Sequence, residues 1–388
     1  MIHASPNSFA TADGQAGSGR TAPFQARVLA NFVLTGPDSS NEKRHVEVDL
    51  GGSGLRYEAG DALAIMPHND PLLVETVLAR FGIAGSAPVL VDGEQTAFGK
   101  ALASRFEIGV ASPRFLRHWA MLSGSTELRF LATPENTAAR RRYLHENHIE
   151  DIMRSHPVPG LNAEAVLPGL RLLQPRLFSI ASSPTANPHR VAIVTATLAY
   201  RLHGELRRGV VSGYQIPHAG SGARLPVFIE PASDFRLPAD DAAIIMVGAG
   251  TGVAPFRAYL QHKQAGVGRW PMWLFFGDQR IAQDFLYRDE FEAWLANGTL
   301  NKLNTAFSRD QAHKVYVQDR IREESAELWR WLDQGAYFYV CGDSKHMAPD
   351  VESALLESVA KHSGRGPEYA QEFLAEMKKQ KRYLRDIY

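Results

Sequence analysis

Alternating apolar and polar positions dominate the chain from about residue 24. In residues 44–50, Val46, Val48 and Leu50 share one side of a strand, while the residues between them are polar. A glycine-rich turn at 51–54 and a second short strand at 62–66 follow. Strand-like segments return at 170–180, 191–199 and 225–230. The pattern predicts an antiparallel β domain over residues 24–238.

A change of period interrupts this β domain. Residues 71–81 fit a helix that Asn69 or Asp70 would cap, with Pro71 in its first turn. Helical patterns continue intermittently to about residue 153. Residues 70–159 are therefore predicted to form a mainly helical insertion.

After Pro238, apolar strands alternate with helical stretches. The predicted strands are 242–247, 272–276, 303–307 and 336–340, and the predicted helices include 284–296 and 347–361. This alternation is typical of a doubly wound parallel sheet. It predicts an α/β domain over residues 239–388.

Composition narrows the possible partners. Residues 1–23 are rich in Ala, Gly, Ser and Thr, lack the order of a secretory signal and are predicted to be a disordered leader. Basic and acidic residues number 42 each, so no nucleic-acid partner is expected. No apolar run reaches the roughly 18 residues of a membrane span.

The single cysteine, Cys341, suits a reducing cytoplasm. His145 and His148 have no grouping of carboxylates or thiols around them, so no metal is predicted.

The sharpest chemical signal is a glycine-rich turn in residues 242–261. Gly248, Gly250 and Gly252 follow a buried strand at alternate positions, immediately before a helix. Glycines there let a pyrophosphate approach backbone N–H groups at a helix start, although a tight turn without ligand is the alternative. The run G-A-G-T-G-V-A-P-F-R resembles the nicotinamide-binding loop of the ferredoxin–NADP reductase superfamily.

A second segment, RLFSIASS at residues 176–183, resembles the R-x-Y-S-x-x-S motif by which that superfamily holds FAD. The guanidinium of Arg176 suits a flavin phosphate, the ring of Phe178 can stack on isoalloxazine, and the hydroxyl of Ser179 can reach N5. Phe178 replaces the usual tyrosine, so stacking is retained and the phenol hydrogen bond is lost. An ordinary strand and turn is the alternative.

Two further groups of residues suit a nicotinamide dinucleotide. Ser308, Arg309, Lys314, Tyr316 and Gln318 follow a predicted strand and could bind a 2′-phosphate and flank an adenine, where an NAD-selective fold more often has a carboxylate. A solvated loop is the alternative.

Cys341 follows another strand, at the sheet edge where α/β ligands bind, unless it only packs in the core. Asp386 lies two residues before Tyr388, the last residue of the sequence. The aromatic ring of Tyr388 can cover a flavin.

Together these motifs resemble the diflavin reductases, and within that family the flavoprotein subunits of NADPH–sulfite reductase, from about residue 23 to residue 388. The segments FIEPASDFRLP, WLFFGDQR, DFLYRDEFEAW and KVYVQDRIREESAELWRW carry the resemblance further. It implies an antiparallel FAD-binding β-barrel with a helical insertion, followed by a doubly wound NADP-binding domain. It also implies an NADPH-dependent flavoprotein reductase with FAD and NADPH as cofactors.

Site residues follow from the same resemblance. It implies FAD contacts from Arg176, Leu177, Phe178, Ser179, Val194, Thr195, Ala196, Tyr200, Gly209, Val210, Val211 and Ser212. It implies NADPH contacts from Gly250, Thr251, Gly252, Ser308, Arg309, Lys314, Tyr316, Gln318 and Asp350. Ser179, Cys341 and Asp386 match the catalytic trio around flavin N5 and nicotinamide C4, and Tyr388 matches the shielding aromatic. The bulk of Val210 and Val211, and Gly109 in place of a threonine, depart from the family pattern.

The expected electron acceptor is a separate protein. The family's flavoproteins normally begin with an FMN domain, and here only residues 1–23 precede the β domain, so the chain is expected to lack that relay. The segment LTGPDSS at 34–40 lacks the strand-then-helix setting of a phosphate loop. A sulfite reductase haemoprotein is the predicted acceptor. The alternatives are a general reductase serving ferredoxin or flavodoxin, which would lack the helical insertion, and a non-catalytic scaffold that has lost its flavin.

Overall fold

The computed structural model describes residues 19–388, so residues 1–18 of the predicted leader lie outside the described part. The strands are β1 (Phe24–Val33), β2 (Lys43–Asp49), β3 (Ala62–Ile65), β4 (Pro88–Val91), β5 (Glu94–Ala97), β6 (Phe106–Glu107), β7 (Arg171–Leu172), β8 (Arg176–Ser179), β9 (Arg190–Ala196), β10 (Ala199–Leu202), β11 (Glu205–Arg208), β12 (Arg224–Glu230), β13 (Ile244–Ala249), β14 (Met272–Asp278), β15 (Lys302–Phe307), β16 (Tyr337–Gly342) and β17 (Tyr383–Ile387).

The helices fill the segments between these strands. They are α1 (Pro71–Phe81), α2 (Phe98–Ser104), α3 (Pro113–Ser123), α4 (Thr126–Ala132), α5 (Thr137–Glu146), α6 (Ile149–Ser155), α7 (Ala163–Val166), α8 (Ile216–His218), α9 (Ala254–Gln264), α10 (Ile281–Asp284), α11 (Arg288–Ala296), α12 (Val317–Glu323), α13 (Ser325–Asp333), α14 (Met347–Ser363) and α15 (Gly366–Lys379). Short 3-10 helices cover Pro134–Asn136, Leu167–Gly169 and Gly250–Val253, and a π-helix covers Val210–Gln215.

The predicted antiparallel sheet is confirmed, with strand order β8-β3-β12-β1-β2-β9. Val46 and Val48 are fully buried, as the alternation in β2 predicts. The two edge strands meet only at an isolated bridge between Ile180 and Ile193, so the sheet described here is not a continuously hydrogen-bonded barrel. Barrel closure depends on strand tilt and stagger, which alternation within single strands does not reveal.

The predicted doubly wound parallel sheet is also confirmed. Its order is β15-β14-β13-β16-β17, and its neighbouring strands pair in parallel. Alternate residues of β13 pack into separate cores: Met246 joins the core formed with α9 and α11, and Val247 joins the core formed with α12 and α14. Helices therefore cover both faces of the sheet. The edge strand β17 is absent from the predicted set.

Residues of the predicted insertion form a mainly helical core. Asp70 caps α1 by accepting a hydrogen bond from the Leu72 N–H, and Gly82 ends that helix in the left-handed conformation with φ 64°. Trp119 is buried at the centre, stacked on Phe115 with ring centroids 5.5 Å apart. A hairpin of β4 and β5 lies among the helices, where the sequence predicts mainly helix.

The described chain divides into two compact units. One contains the residues up to Ala64, Leu177–Ala196 and Ser221–Tyr388, and the other contains Ile65–Arg176 and Thr197–Gly220. The predicted boundaries at residues 24, 70, 159 and 239 stay predictions. Among the helices of residues 19–388, none is both long and apolar enough to cross a bilayer.

A buried histidine makes the stability of the first unit depend on pH. His45 on β2 is 5% exposed, and its Nδ1 lies 2.7 Å from the Tyr287 hydroxyl. Burial, with a smaller effect of Arg257, lowers the pKa of His45 from 6.5 to about 4. As the pH falls below 6.5, His45 therefore binds a proton in the unfolded chain before it does so in the folded chain.

We expect the free energy of unfolding to fall by about 3 kcal/mol between pH 6.5 and pH 4 because of His45. His45→Gln should flatten this part of the profile, whereas His189→Gln, at an exposed position, should leave it unchanged. Urea unfolding across this pH range measures both variants. An equally steep profile in His45→Gln would contradict the assignment.

Candidate functional site

The glycine-rich turn joins β13 to α9 through the 3-10 helix Gly250–Val253. Gly250 has φ +55°, a conformation that favours glycine. A Cβ atom on Gly252 would lie 2.2 Å from the carbonyl oxygen of Cys341. Glycine at 252 therefore allows the turn to pack directly against the end of β16.

Strand register brings the predicted trio together at this sheet edge. In the parallel pairing of β16 with β17, Cys341 is the partner of Asp386. The Ser179 hydroxyl donates to Oδ2 of Asp386 at 2.5 Å, and the Cys341 thiol donates to the same oxygen at 3.6 Å. One carboxylate oxygen thus links residues from β8, β16 and β17.

The cysteine in this trio is fully buried. Burial is the main cause that raises its pKa well above the ordinary value, and the nearby charge of Asp386 raises it further. Cys341 is consequently a neutral thiol at physiological pH. It can pack beside a ligand and donate a weak hydrogen bond, but it is a poor nucleophile.

The terminal tyrosine lies at the same edge. Its backbone N–H donates to the Gly342 carbonyl at 3.1 Å, and its own carbonyl accepts from the Ser344 N–H at 3.1 Å. The Tyr388 hydroxyl is 2.8 Å from Oγ1 of Thr251, yet 51% of the residue is exposed. The backbone of Tyr388 is therefore fixed, while a single side-chain hydrogen bond holds its ring.

A cavity of about 780 Å³ opens at the carboxyl ends of the parallel strands. Almost all the residues predicted to bind NADPH line it: Gly250, Thr251, Ser308, Arg309, Lys314, Tyr316, Gln318 and Asp350, together with Ala196 and Tyr388. Gly252 is buried behind them. The volume and the position at the strand ends suit a nucleotide.

Two cations of this cavity have no carboxylate partner. Arg309 and Lys314 are exposed, and within residues 19–388 no carboxylate lies within ion-pair distance of either side chain. By contrast, the Gln318 side-chain amide donates to Asp350 at 3.1 Å. The two unpaired cations fit a phosphate monoester such as the 2′-phosphate of NADPH.

The first unit carries part of the predicted FAD contacts on the two edge strands of the antiparallel sheet. Leu177 is 57% exposed, and Phe178 and Ser179 are partly buried. Val194, Thr195 and Ala196 end β9, next to the bridge that joins the edges. The buried Thr195 hydroxyl has no hydrogen-bond partner in the described chain. An exposed apolar side chain, a partly buried aromatic ring and an unsatisfied hydroxyl fit a flavin.

The second unit carries the remaining predicted FAD contacts. The Tyr200 hydroxyl is 2.8 Å from Nε2 of His148. Gly209 precedes the π-helix that Val210, Val211 and Ser212 begin, so backbone N–H groups there suit a diphosphate. Val211 is buried, whereas Val210 and Ser212 are partly exposed.

Arg176 in the second unit already has a carboxylate partner. Its guanidinium donates to Glu107 at 3.2 Å, and Glu107 also accepts from the Gly109 N–H at 3.1 Å. A flavin phosphate would have to share this cation with Glu107. The predicted roles of Arg176 and of all the other site residues stay predictions.

Several polar residues that line the cavity are absent from the predicted set: Asn41, Lys43, Asp278, Asp343 and His346. Asp278 ends β14 in the segment WLFFGDQR, and its place after a buried strand is a signal that could have identified it. Lys43 begins an antiparallel strand and has no such signal. Its position becomes evident only from tertiary packing.

Comparison with known proteins finds two matching domain families and several similar proteins. Residues 18–214 match the family described as FAD binding domain, and residues 246–353 match the oxidoreductase NAD-binding domain. The chain is 42% identical over 382 residues to the sulfite reductase [NADPH] flavoprotein alpha-component of Bacillus subtilis (strain 168), with 98% of this chain and 63% of the relative covered. It is 42% identical over 367 residues to the same component of Serratia proteamaculans (strain 568), with 94% and 61% covered.

A third relative, the same component of Yersinia pestis, is 41% identical over 370 residues, with 95% of this chain and 61% of the relative covered. The chain therefore spans less than two thirds of the length of these curated relatives.

The environment of Cys341 predicts slow reaction with thiol reagents. Because only the thiolate reacts, burial and a raised pKa should slow labelling by Ellman's reagent at least about tenfold relative to the urea-unfolded chain. The single cysteine makes the assay unambiguous, and Cys341→Ser supplies the blank. Equal rates in the folded and unfolded chains would contradict the placement.

Proposed function

Because the chain belongs to the family defined by the FAD binding domain and also carries an oxidoreductase NAD-binding domain, we propose that it is an NADPH-dependent FAD oxidoreductase. It takes hydride from NADPH to FAD and delivers electrons to an acceptor protein. The observation that carries the proposal is the meeting of Ser179, Cys341 and Asp386 beside the glycine-rich turn.

When bound, FAD supplies the ability to accept a hydride and to release electrons one at a time. Ser179 and Asp386 hold each other in position through their hydrogen bond, so the hydroxyl and the carboxylate are oriented before any ligand arrives. The carboxylate of Asp386 can balance positive charge that develops on a nicotinamide ring. Cys341 fills the space beside them as a neutral thiol.

The two unpaired cations support a preference for NADPH over NADH. Arg309 and Lys314 face the cavity without carboxylate partners, so a 2′-phosphate gains their attraction without breaking an existing ion pair. Asp350 also lines the cavity and accepts a hydrogen bond from Gln318, and the two cations outnumber this carboxylate. Charge at this end of the cavity therefore favours the phosphorylated nucleotide.

For the acceptor, we propose a sulfite reductase haemoprotein. The support is the identity of the relatives, sulfite reductase [NADPH] flavoprotein alpha-components, which are 41–42% identical over almost all of this chain. NADPH-driven sulfite reduction in a mixture of the two proteins tests this proposal. Reduction of flavodoxin or ferredoxin, with no sulfite consumed, would favour a general reductase instead.

The central experiment is reduction of the reconstituted flavoprotein. Purified protein loaded with FAD should lose its yellow flavin absorbance when mixed anaerobically with NADPH. Asp386→Asn should slow this single-turnover bleaching while retaining FAD, because the charge that balances nicotinamide is removed. A protein that does not retain FAD would favour the scaffold alternative, and retained FAD that NADPH does not bleach would overturn the reductase proposal.

Removing the unpaired cations should change cofactor preference. Arg309→Ala combined with Lys314→Ala should weaken NADPH far more than NADH, since each charged contact contributes about 1.5–3 kcal/mol. The ratio of kcat/KM for the two nucleotides measures this effect, and Lys361→Ala on an exposed helix end is the control. Equal losses for NADPH and NADH would contradict the assignment of the 2′-phosphate.

Removing the terminal ring should admit the weaker nucleotide. Deletion of Tyr388 uncovers the site that its ring shields and is expected to raise kcat/KM for NADH. Tyr388→Phe retains the ring and loses only the hydrogen bond to Thr251, so it should retain the preference for NADPH. An unchanged preference after deletion would show that the ring does not shield the nicotinamide site.

A further inference from the structure

Residues 34–40 (LTGPDSS), which resemble a phosphate loop only superficially, form a loop between β1 and β2. It packs against residues 279–284, which follow β14 and include α10: the Gly36 N–H donates to the Gln283 carbonyl at 2.8 Å. The Ser39 hydroxyl donates to Asp284 at 2.5 Å, and the Ser40 hydroxyl donates to the Gln279 side chain at 2.6 Å. These bonds hold residues 36–40 beside the nucleotide cavity, and Lys43 follows them at the start of β2.

Lys43 is a buried cation between two carboxylates. Its side chain is 5% exposed, and Nζ lies 3.1 Å from Oδ1 and 3.0 Å from Oδ2 of Asp278, and 3.9 Å from Oδ1 of Asp284. Asp284 has other donors, the Ser39 hydroxyl and the Arg280 N–H. Asp278 is less well satisfied: its side chain is 6% exposed, and Oδ2 makes no hydrogen bond of good geometry within the described chain.

The buried pair borders the glycine-rich turn. Lys43 and Asp278 both line the cavity, and Cε of Lys43 is 3.3 Å from the position that a Cβ on Gly250 would take. Oδ2 of Asp278 is 3.8 Å from that position. An anion bound at the turn therefore lies close to the side chains of both Lys43 and Asp278.

At the Gly250 turn, the buried carboxylates repel a bound phosphate group unless the ammonium group of Lys43 is available to attract it. Without Lys43, Asp278 and Asp284 would be two buried negative charges, and a pyrophosphate would be repelled. With Lys43, the ammonium can turn from Asp278 to the phosphate oxygens, since its three N–H donors reorient about a flexible stem. Burial raises the pKa of Asp278, which indicates that this carboxylate is already unfavourably placed.

We propose that Lys43 is a nucleotide-binding residue that contacts the pyrophosphate of NADPH at the Gly250 turn, and that Asp278 competes with the nucleotide for its ammonium group. This inference rests on the proposed function, because it takes NADPH to be the ligand of the cavity. It adds a contact common to NADPH and NADH, distinct from the selective contacts of Arg309 and Lys314.

The test uses two probes that share the 2′-phosphate and differ in the pyrophosphate: NADP⁺ and 2′-AMP. In calorimetric titration of the full chain, Lys43→Gln should weaken NADP⁺ roughly tenfold and leave 2′-AMP unchanged, since only NADP⁺ loses a charged contact. Asp278→Asn should strengthen NADP⁺ at least about threefold, because it releases the lysine and removes a repelling charge.

The opposite signs of these two effects distinguish binding from structural support. If the pair only holds the fold together, both variants will weaken NADP⁺, and the proposal is overturned. Unchanged NADP⁺ affinity in Lys43→Gln also overturns it. Lys361→Gln, at an exposed position on α14, is the control and should leave both probes unaffected.

A double variant covers the case in which Lys43→Gln fails to fold with an unpaired buried carboxylate. Lys43→Gln with Asp278→Asn removes both charges, and it should bind NADP⁺ more weakly than Asp278→Asn alone. Equal affinity of these two variants would overturn the role of Lys43. If the wild-type chain binds 2′-AMP and NADP⁺, the proposed function stands even where the variants contradict the role of Lys43. If the wild-type chain binds neither probe, the proposed function and this inference both fail.

Discussion

The parallel pairing of β16 with β17 is the constraint on which the candidate site depends. Its register sets Cys341 beside Asp386 and Gly342 beside Ile387, and the Tyr388 N–H then reaches the Gly342 carbonyl. A shift of one residue would turn the carboxylate of Asp386 to the other face of the sheet. Ser179 would then lose its acceptor, and Tyr388 would no longer lie beside Thr251.

Burial gives the members of this edge different chemical characters. Cys341 is fully buried and remains protonated, so its thiol is a packing group and a weak donor. Asp386 is only partly buried and accepts from both Ser179 and Cys341. A carboxylate that is already hydrogen-bonded loses little orientational freedom when a ligand arrives, which is the physical basis of preorganisation. A neutral thiol can occupy the buried position beside Asp386, where a second charged group would have to lose its hydration.

The sequence predicts those parts of the fold whose signals are local. Alternation identifies β2, and an apolar run followed by glycines identifies β13 and its turn, because burial and backbone conformation are written in neighbouring residues. The edge strand β17 escapes such analysis, since its sequence YLRDI mixes charged and apolar residues and only its first two residues are buried. An edge strand is defined by a partner elsewhere in the chain, and periodicity does not report partners.

The same limit applies to the site. Ser308 and Arg309 follow a recognisable strand, so their place at the sheet edge can be predicted. The partner of Lys43 is 235 residues away, and the partner of Arg176 is 69 residues away. Nothing in the neighbouring residues indicates either ion pair. The sequence therefore indicates where some charged residues lie relative to a strand, but it does not indicate which charge already has a partner.

That distinction decides what each cation contributes to binding. An exposed, unpaired guanidinium or ammonium gains attraction to a phosphate while giving up mainly water, so its contribution depends on the salt concentration. A buried, paired ammonium such as that of Lys43 has already lost its hydration and must exchange one anion for another. Its contribution is the difference between two strong interactions, and the neighbouring carboxylate therefore sets the sign and size of that difference. In the proposed assignment, the exposed cations of the cavity favour one nucleotide over another, whereas the buried pair sets how tightly the turn holds the part that both nucleotides share.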